Sequence, residues 1–384
     1  MDSSRPFAKE LEIACLTVQR ASLVTKKLLL ESVDKLSIDK SDATPVQCTP
    51  DFTPYILELT IWGPKVTIAD FAAQAMIIAA IHGIFPNDEF AGEEDSKALR
   101  KNPDLLQRTW ELVSTTHLDD DKCEARLCTP RSKEEMLDII DLGSKGKCDG
   151  TRRTWTLDPV DGTATFMRGQ QYAVCLALLE HGQEQVGVLG CPNLNLEKSH
   201  GVVTEDIVED ANGLGCMLFA VRGQNAPSIR KMGRGALLPS HRLAGVAQVT
   251  DPHDIRFVDC SAMANSSNFQ LHRKIAAELG VSHDGHMLTN VWSAQMRYVA
   301  LAAGGCNALL KIPRNPLYRS NIWDHAGGML IARESGFKVT DLEGNPVNCA
   351  TGRKLTGCYG MVVAPPSIHA VLLVAAHNLL AETL

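Results

Sequence analysis

No Cys-x-x-Cys pair occurs in this sequence, although 12 cysteines are spread from Cys15 to Cys358. Cys123 and Cys128 come nearest, without a His or Cys knuckle beside them. That spacing argues against a disulfide framework or a zinc site and for reduced, mostly buried thiols. A basic excess is missing too: 38 Lys and Arg stand against 45 Asp and Glu, a net charge of −7. General nucleic-acid binding is disfavoured, because phosphate backbones are gripped by cationic surfaces. Nor is there an apolar run long enough to cross a bilayer, since the most apolar stretch, Phe71 to Phe85, is broken by Gln74 and His82. The opening MDSSRPFAKELEIA has neither a basic n-region nor an apolar core, so the expectation is a cytoplasmic protein with no membrane partner.

What is present is ordinary globular composition, 45% hydrophobic and 22% charged, in a chain long enough for one large or two closely joined domains. Phe7, Leu11, Ala14, Val18, Ala21, Thr25 and Leu28 recur at helical spacing and predict an amphipathic helix over residues 7–30. A second helix, apolar on most sides, is expected from about Asp70 to Ile84, ending before Pro86. Strands are expected at 172–179 and 185–189, around a hairpin turn at Glu180 to Gln183, and at 216–221. Beyond residue 238 strands and helices alternate: strands at 255–258, 308–312 and 361–364, helices at 269–279, 324–334 and from Ser367. A Gly, Arg, Pro and Ser-rich stretch at 225–240 suggests two domains, 1–235 and 236–384.

Three acidic islands carry the chemistry: Gly92-Glu93-Glu94-Asp95, Trp155-Thr156-Leu157-Asp158-Pro159-Val160-Asp161-Gly162-Thr163, and Trp323-Asp324-His325-Ala326-Gly327-Gly328. Taken singly they read as a solvated acidic loop, a surface turn and a helix N-cap. Taken together they are a set of hard oxygen donors. Pro159 fixes one torsion, so a tight turn could aim Asp158 and Asp161 into one space. Gly162-Thr163 would then offer amides at a helix start, suited to phosphate oxygens. Carboxylates and a carbonyl suit magnesium, and two such ions support an in-line displacement at phosphorus.

The strings GEED, WTLDPVDGTATF and NIWDHAGGMLIARESGF resemble the three signatures of the inositol monophosphatase-like, lithium-sensitive phosphatases. The likeness extends from Ile68 to Leu355, and within that family it is strongest to the fungal 3'(2'),5'-bisphosphate nucleotidases. The resemblance implies a layered αβαβα sandwich of the α/β class, with an N-terminal antiparallel sheet and helices, then a C-terminal α/β part. It implies hydrolysis of the 3'-phosphate of adenosine 3',5'-bisphosphate, extending to 3'-phosphoadenylyl sulfate, with two or three Mg2+ ions and inhibition by lithium. Carried over by position, Glu93, Asp158, Asp161, Asp324 and the carbonyl of Val160 would hold the magnesium, with Glu94 close by. Asp70 and the Thr163 hydroxyl would orient and deprotonate the attacking water, and the Gly162 and Thr163 amides would receive the phosphate.

Recognition of the nucleotide transfers with changes. The nucleotidases use a His-Ser-Ser string, a Ser…Lys pair before Tyr, and an Arg in the strand before Trp-Asp-His. This chain has Asn265-Ser266-Ser267, Ser293…Arg297-Tyr298, and Lys311. Asn265, Ser266, Ser293, Arg297, Lys311 and Asp324 are therefore the expected substrate contacts. The remaining alternatives are an inositol or other sugar phosphate as substrate, or a catalytically impaired metal- or nucleotide-binding homologue. The oligomeric state is left open, a monomer being compatible with everything above.

One segment has no counterpart in the family pattern. Lys40 to Val46 matches the first half of Lys-x-Asp-x-Ser/Thr-Pro-Val-Thr-x-Ala-Asp, and Thr67 to Asp70 matches the second, with residues 47–66 between them. Removing 47–66 restores Thr-Pro-Val-Thr-Ile-Ala-Asp. Val codons begin GT and a Lys codon can end AG, so an in-frame retained intron is one reading; an apolar excursion interrupting the loop before Asp70 is the other.

Overall fold

In a computed structural model the protein is described over residues 6–39, 54–260, 268–281 and 289–381. Two long helices open the chain, α1 (Ala8–Asp39) and α2 (Pro54–His82), followed by strand β1 (Glu89–Gly92). Four helices come next: α3 (Lys97–Lys101), α4 (Pro103–Thr115), α5 (Asp121–Glu124) and α6 (Lys133–Leu142). Strand β2 (Thr154–Asp161) runs into the single-turn helix α7 (Thr163–Phe166). An antiparallel meander follows: β3 (Ala173–Glu180), β4 (Gln183–Cys191), β5 (Cys216–Val221), β6 (Ser228–Lys231) and β7 (His241–Arg242). These form a seven-stranded sheet in the order β1 to β7, antiparallel except that β1 runs parallel to β2.

The second half builds a five-stranded sheet from β8 (Phe257–Asp259), β9 (Thr289–Asn290), β10 (Ala308–Lys311), β11 (Lys338–Thr340) and β12 (Met361–Ala364). Its order is β11-β12-β10-β8-β9, with β8 parallel to both β9 and β10. Its helices are α8 (Phe269–Glu278), α9 (Ala294–Ala302), α10 (Ala326–Glu334) and α11 (Pro366–Ala381). α1 and α2 cover one face of the first sheet, α9 and α10 fill the space against its other face, and α8 with α11 close the far side of the second sheet. The expected αβαβα layering is thus observed.

The middle layer is tight because small residues permit it. A Cβ on Gly327 would come within 3.2 Å of Leu189, and one on Gly328 within 2.2 Å of the Tyr298 ring. α10 can therefore lie against β4 on one side and α9 on the other. The hairpin turn expected at Glu180 to Gln183 is made by His181 and Gly182, both at positive φ (51° and 72°). β7 continues the first sheet past residue 235, so the sequence boundary there falls inside a sheet rather than in a linker.

The two leading helices differ from expectation in length. α1 ends at Asp39, and α2 begins at Pro54, well before Asp70. Residues 54–66 of the extra segment are thus helical and continuous with the turn that carries Asp70, where an interrupted loop was expected; residues 47–53 lie outside the described residues. Asn265, Ser266 and Ser267 also lie outside them.

Candidate active site

β2 is buried along its whole length. In a regular strand, residues three apart point to opposite faces, which would separate Asp158 from Asp161. Pro159 has no N–H for the ladder, and the register with β3 slips here: Asp158 pairs with Cys175, whereas Asp161 pairs with Ala173. Three steps on β2 answer two on β3, so one extra residue is bulged and the two carboxylates return to the same side. The expected turn is therefore a bulge within a strand, with the same outcome for the side chains.

Gly162 ends the strand at φ 95°, a left-handed conformation, and a Cβ there would meet Ser293 at 2.9 Å. Thr163 opens α7; the Thr165 and Phe166 amides donate to the Gly162 carbonyl at 3.0 and 2.9 Å, and the Thr163 amide precedes that turn. Asp158 accepts from the Val160 amide at 3.0 Å, and the Thr163 hydroxyl donates to the Val160 carbonyl at 3.2 Å. That carbonyl keeps a second lone pair.

Asp161 is held from the other half of the chain. Its Oδ2 accepts from the Ser293 hydroxyl and from the Gln295 amide at 2.6 Å, at the start of α9. Ser293 is itself the N-cap of α9, accepting from Met296 N at 3.1 Å, and is 1% exposed. The side chain expected to touch substrate is buried here and gives its one donor to Asp161. Gln295 then bridges to the third island, donating to the Trp323 carbonyl at 2.7 Å and accepting from Gly328 N at 2.8 Å. Asp324 is not the N-cap of α10; His325 occupies that position, which leaves the Asp324 carboxylate available.

Glu93 is placed by two clamps. Gln74, one turn beyond Asp70 on α2, donates to the Glu94 carbonyl (2.7 Å) and accepts from its amide (3.1 Å). Arg353 donates to the carbonyls of Gly92 and Gly143, both at 2.6 Å, and stacks over Trp323 at 4.7 Å. A single guanidinium thus ties the Glu93 loop to the residue before Asp324.

These elements enclose a cavity of about 360 Å3 lined by Glu93, Asp158, Val160, Asp161, Gly162 and Thr163. Arg297, Lys311 and Asp324 line it too, with Trp292, Tyr318 and Asn321 completing the wall. Arg297 is fixed by the carbonyls of Val291 and Trp292, both at 2.9 Å. Lys311 donates to Ser320 (2.8 Å) and to His325 Nε2 (3.0 Å), and His325 Nδ1 meets the Tyr298 hydroxyl at 2.8 Å. Burial holds the His325 pKa well below its usual value, with Lys311 and Arg297 adding to the effect, so the ring is neutral and can accept from the ammonium. Trp292, Tyr318 and Arg353 had no role in the sequence reading, each being isolated in sequence from the acidic strings; Asn321, which opens the NIWD string, had none either.

The cluster is strongly electronegative. Desolvation pushes Asp158 well above the usual carboxylate range, reinforced by Glu93, Asp161, Asp324 and Asp70. Glu93, though open to the cavity, is pushed up to about 7 by desolvation and Glu94, and Asp324 to about 7 by desolvation and Asp161. Glu94 rises to about 6, first through desolvation and then through Asp95. Asp70 is 6% exposed and raised well above normal by desolvation, Glu94 and Glu93. Its buried Oδ1 has no hydrogen-bond partner. The Asp70–Thr163 pair expected from the resemblance is not made here, since the Thr163 hydroxyl is turned to Val160.

Among the described residues, no three His, Cys, Asp or Glu side chains converge closely enough to hold one ion. Magnesium does not require that. It takes one or two carboxylates per ion and fills the remaining positions with water and substrate oxygen. Uncompensated carboxylates, a free carbonyl lone pair and an orphaned carboxylate oxygen are the donor set that a hard divalent cation fits.

The Inositol monophosphatase family profile matches residues 63–381. The chain belongs to the inositol monophosphatase family. Among curated members, the 3'(2'),5'-bisphosphate nucleotidase of Emericella nidulans is 36% identical over 380 residues, covering 97% of this chain and 99% of the relative. A 3'(2'),5'-bisphosphate nucleotidase 2 of Candida albicans is 36% identical over 360 residues, covering 92% of each chain. That of Schizosaccharomyces pombe is 32% identical over 368 residues, covering 93% of this chain and 92% of the relative. Solved members of the family share the fold: an inositol monophosphatase from Zymomonas mobilis has a TM-score of 0.53 at 14% identity, covering 97% of this chain and 99% of that one. Mycobacterium tuberculosis SuhB has a TM-score of 0.52 at 16% identity, covering 97% of each. No helix among the described residues is long and apolar enough to cross a membrane.

Proposed function

We propose that this family member is a magnesium-dependent 3'(2'),5'-bisphosphate nucleotidase, converting adenosine 3',5'-bisphosphate to AMP and inorganic phosphate. The observation that carries the reading is the presence, in one cavity, of a carboxylate cluster together with two held cations, Arg297 and Lys311. A monophosphate ester needs only the metal side. A second cationic wall suits a substrate with a second phosphate, and Trp292 and Tyr318 offer ring faces for a base. The names of the relatives support the same substrate.

Glu93, Asp158, Asp161, Asp324 and the Val160 carbonyl would hold two or three magnesium ions. Bound there, magnesium would supply charge neutralisation and Lewis acidity toward the phosphoryl oxygens. The residues of the chain do the positioning. The Gly162 and Thr163 amides would receive the 3'-phosphate, and Lys311 and Arg297 the 5'-phosphate. Asp70, with its raised pKa and unpartnered Oδ1, would take a proton from water, and the Thr163 hydroxyl would orient that water.

Phosphate release from adenosine 3',5'-bisphosphate and from inositol 1-phosphate, measured side by side with Mg2+, tests the assignment. Preference for the bisphosphate is expected; preference for the inositol ester would refute it. Running the panel on the full chain and on a form lacking residues 47–66 also separates an active enzyme from an impaired homologue.

A further inference from the structure

At the far edge of the seven-stranded sheet, Ser228 and Arg230 lie two apart on β6, and Arg242 on β7 is the register partner of Ser228. All three therefore share a face. Phe219, the partner of Ser228 on β5, shares it too, and the Arg230 guanidinium stacks over its ring at 4.5 Å. Between this face and the first turn of α1 is a cavity of about 150 Å3, lined by Arg230, Arg242, Ser228 and Ser240 together with Pro6 and Ala8.

Arg230 is 5% exposed, and its Nε is buried without a partner. Among the described residues its guanidinium makes no hydrogen bond or ion pair, only the ring contact. Glu12 is within electrostatic reach, but both its oxygens are taken by Arg126, at 2.5 and 2.8 Å. Burying a guanidinium without an anion is costly. The exposed Arg242 adds a second positive charge. α1 runs for 32 residues, and its first-turn amides lack intrahelical acceptors and form the positive end of its dipole.

We infer that this pocket binds a small tetrahedral oxyanion, of which inorganic phosphate is the type. At roughly 30 Å3 per water, the volume takes such an ion with one or two waters and excludes a nucleotide. None of its lining residues is shared with the acidic cavity. That cavity carries Arg297 and Lys311 of its own, so it is the variants at Arg230 and Arg242, which leave it untouched, that let the two sites be read separately.

Calorimetric titration of sodium phosphate into the metal-free full chain, with chloride at matched ionic strength as control, tests the site. One site is expected, weakened roughly tenfold or more by Arg230→Met and by Arg242→Glu, with phosphatase activity unchanged in both. Arg242→Glu covers the case in which Arg230→Met does not fold. Sulfate should compete and acetate should not. Crystals soaked in selenate should show anomalous scattering between Arg230 and Arg242. Heat equal to the chloride control, binding unaltered in Arg242→Glu, equal competition by acetate, or a selenate peak without solution binding (an adventitious ion only) would each overturn the inference.

Discussion

Ser293 donates its hydroxyl to Oδ2 of Asp161, 132 residues earlier in the chain, and at the same time caps the helix that follows it. The contact joins the carboxylate island of the first sheet to the helix layer of the second half. It leaves the other oxygen of Asp161 for a cation, so on the proposed function Ser293 would act on the metal through Asp161 rather than on the nucleotide.

Ser293→Ala should therefore weaken Mg2+ activation and lower kcat, by about 10–100-fold as found for partners of metal ligands, with little change in KM. A kinetic titration of Mg2+ at saturating substrate checks this. A raised KM with unaltered magnesium dependence would instead return Ser293 to the substrate contacts expected from the sequence.

Arg353 spans the Gly92 and Gly143 carbonyls with two separate nitrogens. Lysine cannot reproduce that fork. Arg353→Lys and Arg353→Ala should both raise the Mg2+ concentration needed for half-maximal activity, by about tenfold, although neither residue touches the ion. Equal magnesium requirements in wild type and Arg353→Lys would count against the clamp.

Lys311→Met removes the ammonium that Ser320 and His325 hold at the cavity wall. It should raise KM for adenosine 3',5'-bisphosphate about 10–100-fold, a loss of about 1.5–3 kcal/mol for a hydrogen bond to a charged group, while kcat changes little. The test is the split between KM and kcat.

The acidic cluster makes the metal-free protein sensitive to pH in a defined direction. Glu93 and Asp324 have folded pKa values of about 7, above the ordinary 4.5 and 3.8. Carboxyls raised in this way bind protons more tightly in the fold, so their contribution is full below about pH 4 and lost as pH rises through about 7. With chelator, Tm should fall across that window. With Mg2+ at pH 8, Tm should recover, because a cation replaces the proton. Thermal melts with and without Mg2+ across the range settle it, and a metal-free Tm that climbs over this window would contradict the account.

The carboxylates of the cavity were legible in the sequence because each lies in a short contiguous string, where Pro, Gly and Asp encode local geometry. The exact device at Asp158 and Asp161 was less so: a bulge is defined by the partner strand, and Cys175 and Ala173 are not in the motif. Long-range holders were invisible. Arg353 grips Gly92 across 261 positions, and neither residue carries a local signal of the other. The N-cap that the Asp324 string alone would signal falls one residue later, on His325, which leaves Asp324 free for the ligand role expected of it. Helix α2 starts well before its expected beginning at Asp70, because residues 54–66, set apart in the sequence as an extra segment, are helical too.

The central claim, that the bulged carboxylate pair serves metal-dependent hydrolysis of a nucleotide 3'-phosphate, is tested most directly by phosphate release from adenosine 3',5'-bisphosphate, with and without Mg2+, in wild type and Asp158→Asn. Turnover that requires Mg2+ in the wild type and is lost in Asp158→Asn is predicted. Turnover that survives either chelation or the substitution would contradict it.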